Sequence, residues 1–172
     1  MNTTIRSEFD HAPCHLQGLL RHFSDLRDGT HGNGAVSRSD KEKLFTSAIE
    51  YLAPYAMQAL GEMNAALLLG SGTVAASGAT RSPEGDISAF WTLSWPEQEQ
   101  AGIPPVTLEA FFGRSFHHPH LRGATVGVWP LNVFNNVDAA AELHTLRAIA
   151  AADLHNLVFQ RDFRIVPAVT QG

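Results

Sequence analysis

The sequence predicts an α+β fold in which one antiparallel sheet of four to five strands is flanked by helices and preceded by an N-terminal helical arm. Helical periodicity runs through residues 13–27, 39–63 and 139–159. Between residues 65 and 95 the pattern changes to short runs rich in β-branched, aromatic and small apolar residues. Glycine, proline and aspartate separate these runs at the close spacing that favours antiparallel pairing.

The N-terminal arm is predicted to span residues 1–36, and the α+β domain residues 37–172. Pro13 suits the first position of a short amphipathic helix, which Asp28 and Gly29 end. The apolar stripe of that helix consists of Leu16, Leu19, Leu20, Phe23 and Leu26. A glycine-rich linker over residues 30–36 then predicts a hinge between the arm and the domain.

Two longer helices are predicted inside the domain. Ser39 and Glu42 have the spacing of a capping box at the start of the first one, and Pro54 is expected to kink or divide it. Asp138 is the candidate N-cap of the second helix, which continues to Phe159 with an apolar stripe of leucines.

The strands come between and after these helices. The predicted strands are residues 65–69, 73–77, 87–95, 124–134 and a short final one at 164–166. Residues 108–112 are expected to form one helical turn, closed by Gly113. This order of elements resembles the architecture of sensory ligand-binding modules of the GAF or PAS type. The resemblance implies a pocket for a small molecule or for haem.

Three histidines fall within four residues, His117, His118 and His120, with Pro119 before the last. Proline biases the residue before it toward extended backbone, in which residues two apart point to the same side. His118 and His120 are therefore predicted to project together as metal ligands or acid–base groups, and His117 to point away. His117 is a candidate catalytic residue, either as a third ligand or as a group that contacts a ligand.

A second pair of histidines lies on the C-terminal helix. His144 and His155 are eleven residues apart, which places them on one stripe but about 16 Å apart along the axis. They cannot bind one ion together, so at most one of them is expected to join the loop. His144 is the candidate third metal ligand and His155 the candidate catalytic base. The alternative is that both simply cover the edge of the core.

The arm carries a third group of possible ligands, His11, Cys14, His15 and His22. A thiol with neighbouring imidazoles can bind a soft metal, and an imidazole can be an axial ligand of haem. The simpler interpretation is an amphipathic arm that docks on a partner subunit, because short helices are stabilised chiefly by packing an apolar face.

Three further residues are candidate ligand contacts. Arg114 and Arg122 flank the histidine loop and could hold the carboxylate or phosphate of a substrate. Trp129 lies on a predicted strand and could line a cofactor or ligand cavity, although large aromatic residues more often fill the core.

Composition limits the function classes. The net charge is −5, and the 12 lysines and arginines form no basic stripe, which disfavours a nucleic-acid partner. No apolar run reaches the length of about 18–20 residues that a membrane span needs. A single cysteine cannot form an internal disulfide, and the N-terminus lacks the features of a signal peptide, so a reducing cytoplasm is expected.

The leading hypothesis is a small cytoplasmic metal-binding protein that uses the histidine-rich loop, with zinc or iron as the divalent transition metal. It would act as a hydrolase, lyase or oxidase on a small anionic substrate. The alternative is a GAF/PAS-like sensor module that binds a small molecule or haem without catalysis. The third hypothesis is an interaction module that forms a homodimer through the arm.

Overall fold

The structure is a computed structural model that describes residues 13–32 and 34–171. The helices are α1 (Cys14–Asp28), α2 (Arg38–Leu67), α3 (Pro96–Gln100), α4 (Asn136–Ala141), α5 (Leu143–Gln160) and α6 (Pro167–Thr170). The strands are β1 (Thr73–Ala76), β2 (Thr80–Arg81), β3 (Ile87–Ser94), β4 (Val106–Phe112), β5 (His120–Gly123) and β6 (Trp129–Pro130). A 3-10 turn covers Phe163–Ile165.

The sheet is antiparallel throughout and open at both edges, in the order β1-β3-β4-β5-β6, with β2 also paired to β3. The predicted α+β class with an N-terminal helical arm is therefore confirmed, and the sheet has six short strands. The central pair, β3 and β4, aligns Ile87 with Phe112 and Leu93 with Val106. Most consecutive strands are joined by short connections, as antiparallel sheets allow, whereas α3 lies between β3 and β4.

One face of the sheet is covered by α2 and α5. Every second residue of β3 is buried, so Ile87, Ala89, Trp91 and Leu93 point into the core. β4 matches this alternation with Val106, Leu108, Ala110 and Phe112. Leu52, Leu60 and Leu146 from the two helices fill the space above them. Within the described ranges, no helix has both the length and the hydropathy to cross a bilayer.

Several predicted element boundaries were wrong. Residues 65–67 continue α2 rather than starting a strand, because alanine and leucine extend a helix readily. The chain then leaves the helix at Leu69, which has a φ of 53°, and Asn64 holds the following turn by bonding Gly72. The cap of α2 is Ser37, not Ser39, since the Ser37 side chain accepts the Asp40 N–H. The helix continues through Pro54.

The second half of the chain also differs from the prediction. Residues 106–112 form β4 and not a helical turn, because their period-two alternation matches β3. Residues 124–134 contain only the short β6, and the predicted long C-terminal helix is broken at Glu142 between α4 and α5. Residues 164–166 form no strand; they belong to the 3-10 turn and the residue after it.

The arm helix α1 lies against β6 and the loop that follows. Asn132 donates from Nδ2 to the Gly18 carbonyl at 3.0 Å, and the Arg21 guanidinium lies 4.3 Å from the centre of the Phe134 ring. Arg21 also approaches Asp138 at 3.8 Å. These contacts bring the end of α1 to the same edge of the sheet as the loop that precedes β5. The division into an arm at 1–36 and a domain at 37–172 stays a prediction.

Candidate metal centre

Asp25, His31 and His118 form a buried group in which one potential ligand atom from each residue lies within 4.8 Å of the other two. Asp25 comes from the last turn of α1, His31 from the loop after it, and His118 from the loop before β5. All three side chains are almost fully buried, and His31 is only 2% exposed. The group joins two segments that are far apart in sequence.

The end of α1 places Asp25. Gly29 has a left-handed φ of 67° and donates its N–H to the Asp25 carbonyl, the usual way in which glycine ends a helix. Thr30 then donates from Oγ1 to Asp25 Oδ1 at 2.8 Å. One carboxylate oxygen is therefore held in position, while the other, Oδ2, is buried with no hydrogen-bond partner among the described residues.

A tight turn places His31. Its backbone pairs with Ala35 in both directions, at 2.8 and 3.2 Å, and Gly32 and Gly34 both have positive φ in between. The imidazole packs against Phe134 with ring centres 4.9 Å apart. Its Nδ1 is buried and unpartnered within the part of the chain that is described.

We expect Gly32→Ala to lower the free energy of unfolding by about 1–2 kcal/mol, since a left-handed backbone costs any residue with a Cβ about 1 kcal/mol. The added Cβ would also meet the Phe134 ring at 2.5 Å. Gly34→Ala is the matched control, because Gly34 shares a positive φ but has nothing within 4 Å of a Cβ. Urea denaturation of both variants should show a larger loss for Gly32→Ala. Equal losses would mean that contact with Phe134 does not constrain this turn.

A hydrogen bond to the arm sets the tautomer of His118. Its Nε2 lies 2.7 Å from the Thr30 carbonyl oxygen. A carbonyl oxygen only accepts, so Nε2 carries the proton and Nδ1 keeps the lone pair that a metal ion needs. Histidine ligands commonly donate their other N–H to a backbone carbonyl in this way, which orients the ring and raises its basicity. The loop itself is tied to the region after β6 by the Leu131 N–H, which donates to the Pro119 carbonyl.

Two more histidines surround the group. His22, one turn before Asp25 on α1, has its ring centre 5.0 Å from that of His118 and 5.6 Å from that of His120. Its Nδ1 is buried and also lacks a hydrogen-bond partner within the described ranges. Four imidazoles and one carboxylate therefore share one small volume between α1 and β5.

The unpartnered atoms concentrate here. Five buried side-chain nitrogen or oxygen atoms of the described residues lack a partner, and three of them belong to His22, Asp25 and His31. Leaving one such atom unsatisfied costs about 1–3 kcal/mol, so native folds rarely tolerate several together. A cation held by the group would give a partner to the unpaired atoms of Asp25 and His31.

Burial keeps the histidines neutral. Desolvation, helped by repulsion from His118, lowers the pKa of His31 from 6.5 to about 4. Desolvation also lowers the pKa of His22, His118 and His120. Asp25 opposes the shift of His31 but does not overcome it. At neutral pH these rings therefore carry free lone pairs, the form that binds metals.

The histidine-rich loop is arranged in part as predicted. His118 is buried and His120 is half-buried, and both rings contact His22, whereas His117 is exposed. His118 belongs to the group that can hold a metal ion, and His120 lies beside it. His117 lines an adjacent cavity.

The structure does not bring the other predicted residues to this group. His144 and His155 are exposed on α5, because the leucine stripe on the other side of that helix faces the core. His155 stacks on Phe159 instead. Arg122 forms a two-pronged ion pair with Glu109, at 2.6 and 3.0 Å, and Trp129 packs on the edge of the core. Arg114 lines the same cavity as His117.

Sequence reasoning missed Asp25 and His31. The available signal was the three-residue spacing of His22 and Asp25, which places both on one helix face. His22 was a candidate only as part of the arm cluster. His15 of that cluster is exposed, and His11 and the Cys14 side chain lie outside the described residues.

Comparison with known proteins identifies no relative of this chain. No protein family, no curated protein and no solved structure matches the chain. The architectural resemblance to GAF and PAS modules therefore stays a prediction.

Proposed function

We propose that this protein binds one divalent transition metal ion, zinc or iron(II), through Asp25, His31 and His118. The observation that supports this most strongly is that one potential ligand atom of each of these buried residues lies within 4.8 Å of the other two, while buried atoms of Asp25 and His31 have no partner among the described residues. Two neutral imidazoles and one carboxylate form a ligand set used for catalytic zinc and for non-haem iron. Such a site keeps a coordination position for water, which the ion would acidify into a nucleophile.

The spacing is compatible with three protein ligands on one ion. A tetrahedral zinc ion with bonds of about 2.1 Å needs ligand atoms about 3.4 Å apart. The three atoms lie within 4.8 Å of one another, so binding would draw them together by up to about 1.4 Å. The fourth position is left to water or to His22, whose buried Nδ1 is unpartnered among the described residues and whose ring contacts that of His118.

Cobalt titration of chelator-treated protein, without a polyhistidine tag, tests this proposal directly. We expect one equivalent to bind and to give the visible absorption of a low-symmetry cobalt site. Zinc should displace it and raise the melting temperature, because an ion at 100 times its Kd stabilises the folded state by about 2.7 kcal/mol. Elemental analysis of the protein as purified would identify the resident metal.

His118→Ala and Asp25→Asn should each weaken binding by at least about 100-fold, since removing a ligand costs more than removing a residue that orients one. The matched controls are His144→Ala and His155→Ala, which remove exposed histidines and should leave the titration unchanged. His22→Ala reports the fourth ligand: a changed cobalt spectrum places His22 on the metal. A wild-type protein that binds no cobalt or zinc, or a His118→Ala variant that binds as tightly, would refute the proposal.

A further inference from the structure

A cavity of about 240 Å³ opens next to the metal centre, on the side of the histidine loop that carries His117. His117 lines this cavity and its neighbour His118 belongs to the metal group. Lys41 lies between the two sites, because it lines the cavity and its ammonium donates to the carbonyl of His117, the residue before His118.

The cavity has a strongly cationic lining. Arg38, Lys41 and Arg114 contribute to it, and no aspartate or glutamate of the described residues lines it. Val36 and Phe116 provide apolar surface, and both are exposed at its mouth. A concentration of cations without acids, in a protein whose net charge is −5, points to an anionic ligand.

Lys41 is the most informative of these residues. It is only 6% exposed, yet its ammonium makes one hydrogen bond with the described residues, at 3.4 Å to the His117 carbonyl oxygen. No carboxylate of the described residues lies within ion-pair distance of it. Burying an unpaired ammonium costs several kcal/mol, so buried lysines are normally paired with an anion.

The two arginines have different roles. Arg38 is saturated: it pairs with Glu42 at 2.9 Å, stacks on Phe112, and donates to the carbonyls of Gly113 and Phe116. Arg38 therefore shapes the wall of the cavity. Arg114 is exposed, and its guanidinium makes only one contact with the described residues, at 3.5 Å to the Glu84 carbonyl. Its remaining donors are available to a ligand.

We infer that this cavity binds the oxyanion group of a small molecule, a phosphate or a carboxylate, through Lys41 and Arg114. That this anion is also a substrate or ligand of the adjacent ion rests on the proposed metal site. A divalent ion held by one carboxylate and two neutral imidazoles keeps one positive charge. Metal and anion should therefore strengthen each other's binding by the same factor.

Inorganic phosphate is the first probe, titrated calorimetrically into chelator-treated protein at low ionic strength. Acetate and a phosphate monoester, titrated separately, distinguish a carboxylate from a free or an organic phosphate. Lys41→Met keeps the aliphatic stem and removes the charge, and it should lower the phosphate affinity at least about tenfold, the usual worth of a charged hydrogen bond. Lys43→Met is the matched control on the same helix, because Lys43 is exposed and near Asp40.

Arg114→Gln keeps the test decisive if Lys41→Met does not fold, since Arg114 is exposed. We expect it also to lower the affinity for phosphate. Wild-type protein that binds none of the three anions, or binding that neither substitution changes, would overturn the inference. Phosphate binding without any metal binding would leave the anion site intact and refute the proposed metal function. Metal binding without anion binding would refute the anion site and leave the proposed metal function intact.

Discussion

Replacing Asp153 with alanine is expected to lower the free energy of unfolding by about 3–5 kcal/mol, a large part of what stabilises a domain of this size. Asp153 lies on α5 and is 0% exposed. Its Oδ2 accepts the Thr107 N–H at 2.9 Å, and its Oδ1 accepts the Thr125 N–H at 2.7 Å and the Thr125 hydroxyl. The alanine variant would leave these donors without an acceptor, and each unsatisfied one costs about 1–3 kcal/mol.

This carboxylate ties α5 to the sheet at two places. Thr107 belongs to β4, and Thr125 follows β5. Urea denaturation measures the loss. His155→Ala, two residues further along the same helix and exposed, is the control and should change stability by no more than about 0.5 kcal/mol. If Asp153→Ala lost less than about 1 kcal/mol, the donors would have found other acceptors and the proposed link would be unimportant.

The second large effect is acid destabilisation of the metal-free protein. The folded state lowers the pKa of His31 from 6.5 to about 4. Between these values the unfolded chain binds the proton and the folded chain does not, so the contribution of His31 to stability is complete above pH 6.5, falls as the pH falls, and stops changing below about 4. His31 alone should account for about 3 kcal/mol of this loss.

Several groups determine that shift. Burial contributes most, and His118, Lys41 and Arg21 add repulsion, whereas Asp25 acts in the opposite direction. His22, His118 and His120 have pKa values lowered for the same main reason and steepen the transition. The free energy of unfolding should therefore be measured with chelator present, at pH values between 4 and 7.

His31→Gln should flatten the pH dependence, because glutamine cannot titrate. His144→Gln replaces an exposed histidine and should leave the slope as in the wild type. A wild-type protein with constant stability between pH 6.5 and 4 would show that the histidine cluster is solvated rather than buried.

Local patterns predicted those parts of the fold that depend on nearby residues. The amphipathic stripe and Gly29 predicted α1, and the apolar repeat predicted most of α2. The same reasoning failed for β4, where residues 108–112 were expected to form one helical turn closed by Gly113. Seven residues that pair with β3 override that local signal.

The candidate metal centre likewise depends partly on local patterns and partly on contacts between distant residues. Proline chemistry and backbone alternation were enough to separate the exposed His117 from the buried His118. They could not select Asp25 and His31 as its companions, because 87 residues separate His31 from His118 and the contact forms only when α1 packs on the edge of the sheet. Burial then follows from that packing, and with it the neutral imidazoles and the unpaired Lys41. Periodicity and turn chemistry act over a few residues and are readable along the chain. Desolvation and ligand convergence depend on distances that arise only in the folded molecule.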